Sequence, residues 1–229
     1  NARLRWFPQP LTALTLAVGL VAAAHAAVTV APPPPLTNKA YIVMAFDSGR
    51  VLAESNADQP LPPASMTKMM TSYIVEQALK SGRLKPTDPV HVSEYAWCRG
   101  TSAESCMYLP LNSSASVIDM LRGIIIQSGN DASKAVAEHL AGNEPAFATL
   151  MNNEAQRLGM KNSHFMNSTG LPDPAHKASA RVLVTLVRAI IREQGKDYLL
   201  AEIVAGSKLS NHKGFNIPGV IIPMPALTD

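Results

Sequence analysis

Two short runs of this sequence carry side chains that could make and break an acyl bond. In Ser65-Met66-Thr67-Lys68 a hydroxyl and an amine stand three residues apart, which on a helix puts both on one face. A serine hydroxyl is a poor nucleophile until a base takes its proton. A lysine serves as that base only when burial and neighbours pull its pKa towards neutrality. A helix N-terminus adds a positive field that favours both an oxyanion and a neutral lysine. The second run, Ser128-Gly129-Asn130, offers a hydroxyl and an amide in a tight loop, as a proton relay and a substrate clamp would. Each run also has a plainer explanation. The first could be a capping serine beside a solvated lysine, the second a helix stop and restart.

The elements that must position these groups follow from patterning. Tyr41 to Phe46 and Arg50 to Ser55 read as two strands around the turn residues Asp47-Ser48-Gly49. A helix is predicted from Pro63-Ala64-Ser65 to about Leu79, with Met66, Met69, Met70, Tyr73 and Ile74 at core spacing and Gly82 just beyond. Residues 81–115 read as loop. Ser116 and Asp119 form a capping signature for a helix whose buried stripe is Val117, Met120, Leu121, Ile124 and Ile125, stopping at Ser128-Gly129. A short helix is predicted over Asp131–Leu140, and another from Pro145, a favoured first helical residue, to the stop at Gly159. A last helix is predicted over about 179–194, with Leu183, Leu186, Val187, Ile190 and Ile191 on one face.

Composition limits the function classes. The 229 residues are 47% hydrophobic and 16% charged, enough apolar material for a core and unlike a disordered chain, coiled coil or collagen. The formal charge is +3, and the basic residues are scattered rather than clustered, so no nucleic-acid partner is indicated. Two cysteines exclude a disulfide-dense scaffold and a four-cysteine zinc site, and the six histidines show no H-E-x-x-H spacing. Neither a metal nor a cofactor is expected. Residues 1–26 read as a secretory signal: Arg3 and Arg5, an uncharged apolar run from Leu11 to Ala24, and the small-residue site Ala24-His25-Ala26. The alternative is a retained membrane anchor, but the run falls short of the about 20 apolar residues of a comfortable span. The first residue is Asn1, not Met, which points to a start lying upstream. A Pro-rich linker over 27–38, with Ala31-Pro32-Pro33-Pro34-Pro35 as its stiff part, precedes the first strand.

Taken together and in context, the two runs resemble the penicillin-recognising serine enzymes. The stretch Pro63-Ala64-Ser65-Met66-Thr67-Lys68-Met69-Met70-Thr71 is most similar to the active-site helix of the low-molecular-mass penicillin-binding proteins that act as D-alanyl-D-alanine carboxypeptidases. The resemblance includes 47–54, Gln127-Ser128-Gly129-Asn130-Asp131-Ala132-Ser133, Leu158-Gly159-Met160-Lys161-Asn162, Asn167-Ser168-Thr169-Gly170-Leu171 and Ser179-Ala180-Arg181, in the family's order from about Lys39 to Glu193. It implies an α/β fold of the α+β type, the β-lactamase/transpeptidase-like fold: an antiparallel sheet with packed helices beside a helical region. It implies Ser65 as the acylated nucleophile, with its backbone N–H as half the oxyanion hole. Lys68 would be the general base and Ser128 the relay to the leaving amine. Asn130 would bind substrate and hold Lys68. The reaction implied is acyl transfer from the D-Ala-D-Ala terminus of the peptidoglycan stem peptide, then hydrolysis, with β-lactam antibiotics as the second class of ligand. Localisation would be periplasmic, peripheral to the inner membrane through a C-terminal anchor not found in these residues.

The departures matter as well. The family's third motif, Lys-Thr-Gly or Lys-Ser-Gly on a strand lining the cleft, is not in the sequence, and His212-Lys213-Gly214 lacks the hydroxyl residue. From about 196 to 229 the family pattern can no longer be followed. The catalytic domain is therefore expected over 39–195, incomplete, with C-terminal strands missing. The 196–229 tail would come from truncation or a frameshift, leaving the chain as written impaired. Val182 stands where the family usually has an acid after Ser-Ala-Arg. Cys98 and Cys106 leave two readings open, a disulfide in an oxidising compartment or two free thiols. Asn167-Ser168-Thr169 matches a glycosylation sequon but reads as a loop. Alternatives to the carboxypeptidase are a D,D-endopeptidase, a class A-like β-lactamase that would turn β-lactams over rapidly, and a non-catalytic fragment that would not react with penicillin.

Overall fold

A computed structural model describes residues 38–99, 104–194 and 220–221. The secretory signal, nearly all of the linker, and His212-Lys213-Gly214 lie outside the described residues. Strands β1 (Tyr41–Met44) and β2 (Val51–Ser55) pair antiparallel, Tyr41 opposite Ser55, with a bulge between Val43 and Met44. The six residues between them form the turn, so each predicted strand loses residues to it. The third strand of this sheet, formed by Val220–Ile221, pairs with the other edge of β1 in parallel. The β1–β2 pair is antiparallel as the resemblance implies, and Val220–Ile221 adds to it in parallel, since an extended pair can add to the other edge of β1 through backbone groups alone.

The segment 81–115 is not all loop. Pro89–His91 and Ser114–Ser116 pair antiparallel, and Val90 between them is fully buried. Three-residue strands are too short to show an alternation. In chain order the strands are therefore β1, β2, β3 (Pro89–His91), β4 (Ser114–Ser116) and β5 (Val220–Ile221).

Five α-helices follow the predicted pattern closely: α1 (Lys68–Lys80), α2 (Val117–Gln127), α3 (Asn130–Ala141), α4 (Glu144–Arg157) and α5 (Ala180–Gln194). The Ser116 hydroxyl accepts from Asp119 N at 3.2 Å and donates to the Asp119 carboxylate at 2.6 Å, so the predicted cap of α2 forms. Asn143 caps α4 through Ala146 N. Ser179 Oγ accepts from Val182 N at 3.4 Å, so α5 keeps a serine cap without the missing acid.

Helix α1 lies between two apolar clusters. Met70, Tyr73 and Ile74 pack with Phe147, Met151, Leu183 and Leu186, while Val75 and Ala78 pack with Val90, Val117, Met120, Leu121 and Ile124. A helix covered on most sides shows no single apolar stripe, and Met66 and Met69, predicted as core, are only partly buried. Glu76 on α1 is 6% exposed, and neither carboxylate oxygen has a hydrogen-bond partner among the described residues. Burial pushes its carboxyl up from 4.5 to about 7. Between those two values the unfolded chain has lost a proton that the folded chain keeps, so stability falls as pH rises through that window. Glu76→Gln is expected to flatten this slope and raise stability above neutral pH by up to about 3 kcal/mol. Denaturant midpoints measured on both sides of the window check it; parallel pH profiles for the two proteins would disprove it.

Candidate active site

The Ser65 turn is built by backbone first. Ala64 takes a left-handed conformation at φ +49°, and Ala64–Thr67 then forms a 3-10 turn leading into α1. In a 3-10 turn side chains at i and i+3 eclipse one another, and Lys68 Nζ lies 3.3 Å from Ser65 Oγ. The predicted α-helical first turn is thus a 3-10 turn, and it brings the pair within 3.3 Å. Ser65 is exposed, whereas Lys68 is 4% exposed. Burial lowers the Lys68 amine from 10.5 to about 8; Glu104 pulls it upwards and Lys134 downwards.

What buries the lysine is the loop after α4. Lys68 Nζ donates to the Thr169 carbonyl at 2.8 Å, and Thr71 Oγ1 donates to the Ser168 carbonyl at 2.7 Å. Thr67 Oγ1 lies 2.9 Å from His176 Nε2, an imidazole whose pKa burial lowers. The Asn167 carboxamide oxygen gathers Thr169 N, Thr169 Oγ1 and Gly170 N, and its nitrogen reaches the Leu171 carbonyl. Glu144 Oε1 accepts from both Ser168 N and Ser168 Oγ. Gly170 sits at φ +84° directly against Ala64: a Cβ there would lie 1.8 Å from the Ala64 carbonyl oxygen. Thr169 also lines a cavity of about 290 Å³ with Tyr95, Lys134, Glu144, Asn167 and Leu171.

Ser128 and Asn130 stand at the junction of α2 and α3. The left-handed residue there is Ser128 (φ +56°), not the glycine. Gly129 is extended instead, as the N-cap of α3. The Ser128 hydroxyl oxygen is buried and has no hydrogen-bond partner among the described residues. Asn130 Nδ2 donates to Glu104 Oε2 at 3.3 Å. No hydrogen bond joins Asn130 to Lys68 among the described residues: the Lys68 amine donates to the Thr169 carbonyl and the Asn130 amide to Glu104.

Cys98 and Cys106 form a disulfide, which settles the two readings of the cysteines. The strand of loop that follows is sewn to the α2–α3 junction. Ser105 Oγ donates to the Gln127 carbonyl, Asn130 N donates to the Ser105 carbonyl, and the Asp131 carboxylate accepts from Met107 N and Leu109 N. Glu104 and Glu144 were not singled out from sequence, and Asp131 and Asn167 were marked there only as parts of stretches that carry the resemblance, without a role. The contacts of Glu104, Asp131 and Glu144 to other loops and helices span 22 residues or more, and those of Asn167 lie within an irregular loop, where no periodicity marks them. Only the proline and glycine punctuation around 167–174 showed that an ordered loop was there.

The profile of the peptidase S11 family, described as D-alanyl-D-alanine carboxypeptidase, matches residues 26–213. D-alanyl-D-alanine carboxypeptidase DacA of Haemophilus influenzae is 45% identical over 166 residues, 72% of this chain and 42% of that protein. DacC of Escherichia coli is 43% identical over 180 residues, 77% of this chain and 45% of that protein. Among solved structures, penicillin binding protein 5 from H. influenzae has a TM-score of 0.68 at 46% identity, covering 70% of this chain and 47% of that one. Penicillin binding protein 6B from E. coli has 0.69 at 37%, covering 74% and 54%. The chain spans less than half the length of these curated relatives.

Proposed function

This chain belongs to the D-alanyl-D-alanine carboxypeptidase family, and from that membership we infer that it is a serine-type D,D-peptidase acting through an acyl-enzyme on Ser65. The observation that carries the reading is an exposed serine hydroxyl 3.3 Å from a buried lysine amine whose pKa burial has lowered to about 8. Lys68, once neutral, takes the Ser65 proton as Oγ attacks the carbonyl of the penultimate D-alanine of a peptidoglycan stem peptide. The tetrahedral intermediate collapses with cleavage of the peptide bond, and the leaving amine of the terminal D-alanine takes a proton through the Ser128 hydroxyl. The Ser128 oxygen, without a hydrogen-bond partner among the described residues, supports that role, since a buried hydroxyl without a partner is costly and a substrate amine would supply one. Asn130 would hydrogen-bond the substrate. Water then hydrolyses the ester and restores Ser65. A β-lactam acylates the same oxygen, but its leaving amine stays tethered, so the ester persists.

The Cys98–Cys106 disulfide supports export by the 1–26 signal into the periplasm, where disulfides persist. Among the described residues no helix is long and apolar enough to cross a membrane. The protein as its gene encodes it should form a stable covalent adduct with a fluorescent penicillin, and peptide mapping by mass should place it on Ser65. It should also release D-alanine from a pentapeptide. An adduct on Ser128 or elsewhere, or rapid turnover of the penicillin, would overturn the reading. Similarity to a D-alanyl-D-alanine endopeptidase of Pseudomonas aeruginosa, 32% identical over 70% of this chain, makes cleavage of crosslinked dimers the second activity to assay.

A further inference from the structure

We propose that Glu104 is a positioning residue for the Ser65 chemistry: clamped by the Cys98–Cys106 disulfide and by the start of α3, its carboxylate fixes the Asn130 amide and sets the charge balance around Lys68. The proposal rests on the assignment of Lys68 as the base. It concerns a side chain that touches neither the nucleophile nor the substrate carbonyl.

The geometry is that of one carboxylate oxygen shared between two donors. Glu104 Oε2 accepts from Asn130 Nδ2 at 3.3 Å and from Lys134 Nζ at 3.5 Å. Asn130 and Lys134 are one turn apart on α3, so their side chains share a face and a single carboxylate spans both. The Glu104 and Lys134 side chains are 29% and 15% exposed, which leaves their charges less screened than those of a surface pair. Glu104 is not free to leave. It lies two residues before Cys106, and the next five residues are fastened at Gln127, Asn130 and Asp131.

Among the described residues, the charged groups acting on Lys68 are Glu104, which favours the ammonium, and Lys134, which disfavours it. Its polar contacts are Ser65 and the Thr169 carbonyl. Beyond them, the Tyr95 phenol feels Glu104, Glu138 and Glu144, and the Lys134 ammonium lies 5.7 Å from its ring. Without the Glu104 carboxylate, Lys68 loses its neighbouring negative charge and faces an unpaired ammonium. Both changes favour the neutral amine. Glu104 therefore opposes the burial that strips Lys68 of its proton, and preserves the basicity of the amine.

The test follows the titration of Lys68 itself, by NMR of protein labelled with 13C-lysine and with the Lys68→Arg variant to assign the signal. Glu104→Gln keeps an acceptor for Asn130 but removes the charge, so the Lys68 midpoint should fall by about half a pH unit. Lys134→Met should move it in the opposite direction. Opposite signs from two neighbouring substitutions are not the signature of a structural lesion. Cys98→Ser/Cys106→Ser should move the midpoint in the same direction as Glu104→Gln, because the clamp is released. In each variant the rising limb of penicillin acylation should shift with the midpoint. An unchanged midpoint in Glu104→Gln overturns the proposal, and an unchanged midpoint in the double-serine variant overturns the clamp. A wild-type protein that fails to acylate would defeat the peptidase reading alone, since the Lys68 midpoints still decide this one.

Discussion

Lys68→Arg is expected to slow acylation of Ser65 by roughly 10²–10⁴-fold, the usual contribution of a positioned general base. The variant keeps a long cation at the start of α1, but a guanidinium does not lose its proton at any accessible pH, so nothing can accept the serine proton. In the wild-type protein the amine is held at about 8 by burial, so below that value the ammonium dominates and above it the free base. Acylation should therefore rise with pH, level off once pH passes about 8, and show no such limb in the arginine variant. Rates of penicillin labelling across that range check both statements. Near-normal labelling by the arginine protein, or a wild-type rate that ignores pH, would remove Lys68 from its role.

Gly170→Ala should be nearly as damaging, from a position that bears no chemistry. The added methyl would lie 1.8 Å from the Ala64 carbonyl oxygen, 2.4 Å from its carbon and 2.9 Å from Thr67 Oγ1, at a backbone φ of +84°. Two of those three atoms are backbone and cannot rotate aside. The left-handed conformation and the overpacking together should cost roughly 2–5 kcal/mol of stability. Relief of the clash must push the Ser65 turn away from the Thr169 carbonyl that holds Lys68. Both the denaturant midpoint and the rate of penicillin labelling are expected to fall. A variant that retains both would show that the two loops can separate without consequence.

Much of this architecture was legible in the sequence because it is local. The Ser116–Asp119 cap, the stripes on α2 and α5, and the turn at Asp47-Ser48-Gly49 depend on residues a few positions apart, and each formed near its predicted place. The Ser65–Lys68 pairing was legible for the same reason. The 3-10 form of its first turn was not: no pattern in its residues marks it, and the residue packed against Ala64, Gly170, lies more than 100 positions away. Strands β3 and β4 escaped notice because three residues cannot show an alternation. The parallel partner of β1 was not foreseen because strand pairing is a long-range choice that neither segment encodes alone. Glu104 was invisible for a related reason: a single acid in an irregular loop acquires meaning only from Asn130 and Lys134, which lie on a helix it does not belong to.

The dependence of the Ser65 turn on the 167–176 loop bears on the order in which the chain becomes competent. Lys68 is tethered at Thr169, Thr67 meets His176 and Thr71 meets Ser168, separations of 101, 109 and 97 residues. Closing loops of that length is slow, and the contacts form late. A nascent chain emerging from its N-terminus displays the serine and the lysine when less than a third of its length has appeared. At that stage the amine is hydrated, protonated and inert. The reactive pair comes into being only when the distant loop arrives, so maturation of the nucleophile is itself a folding event. Any product released before Thr169 would carry both residues of the motif and none of its reactivity.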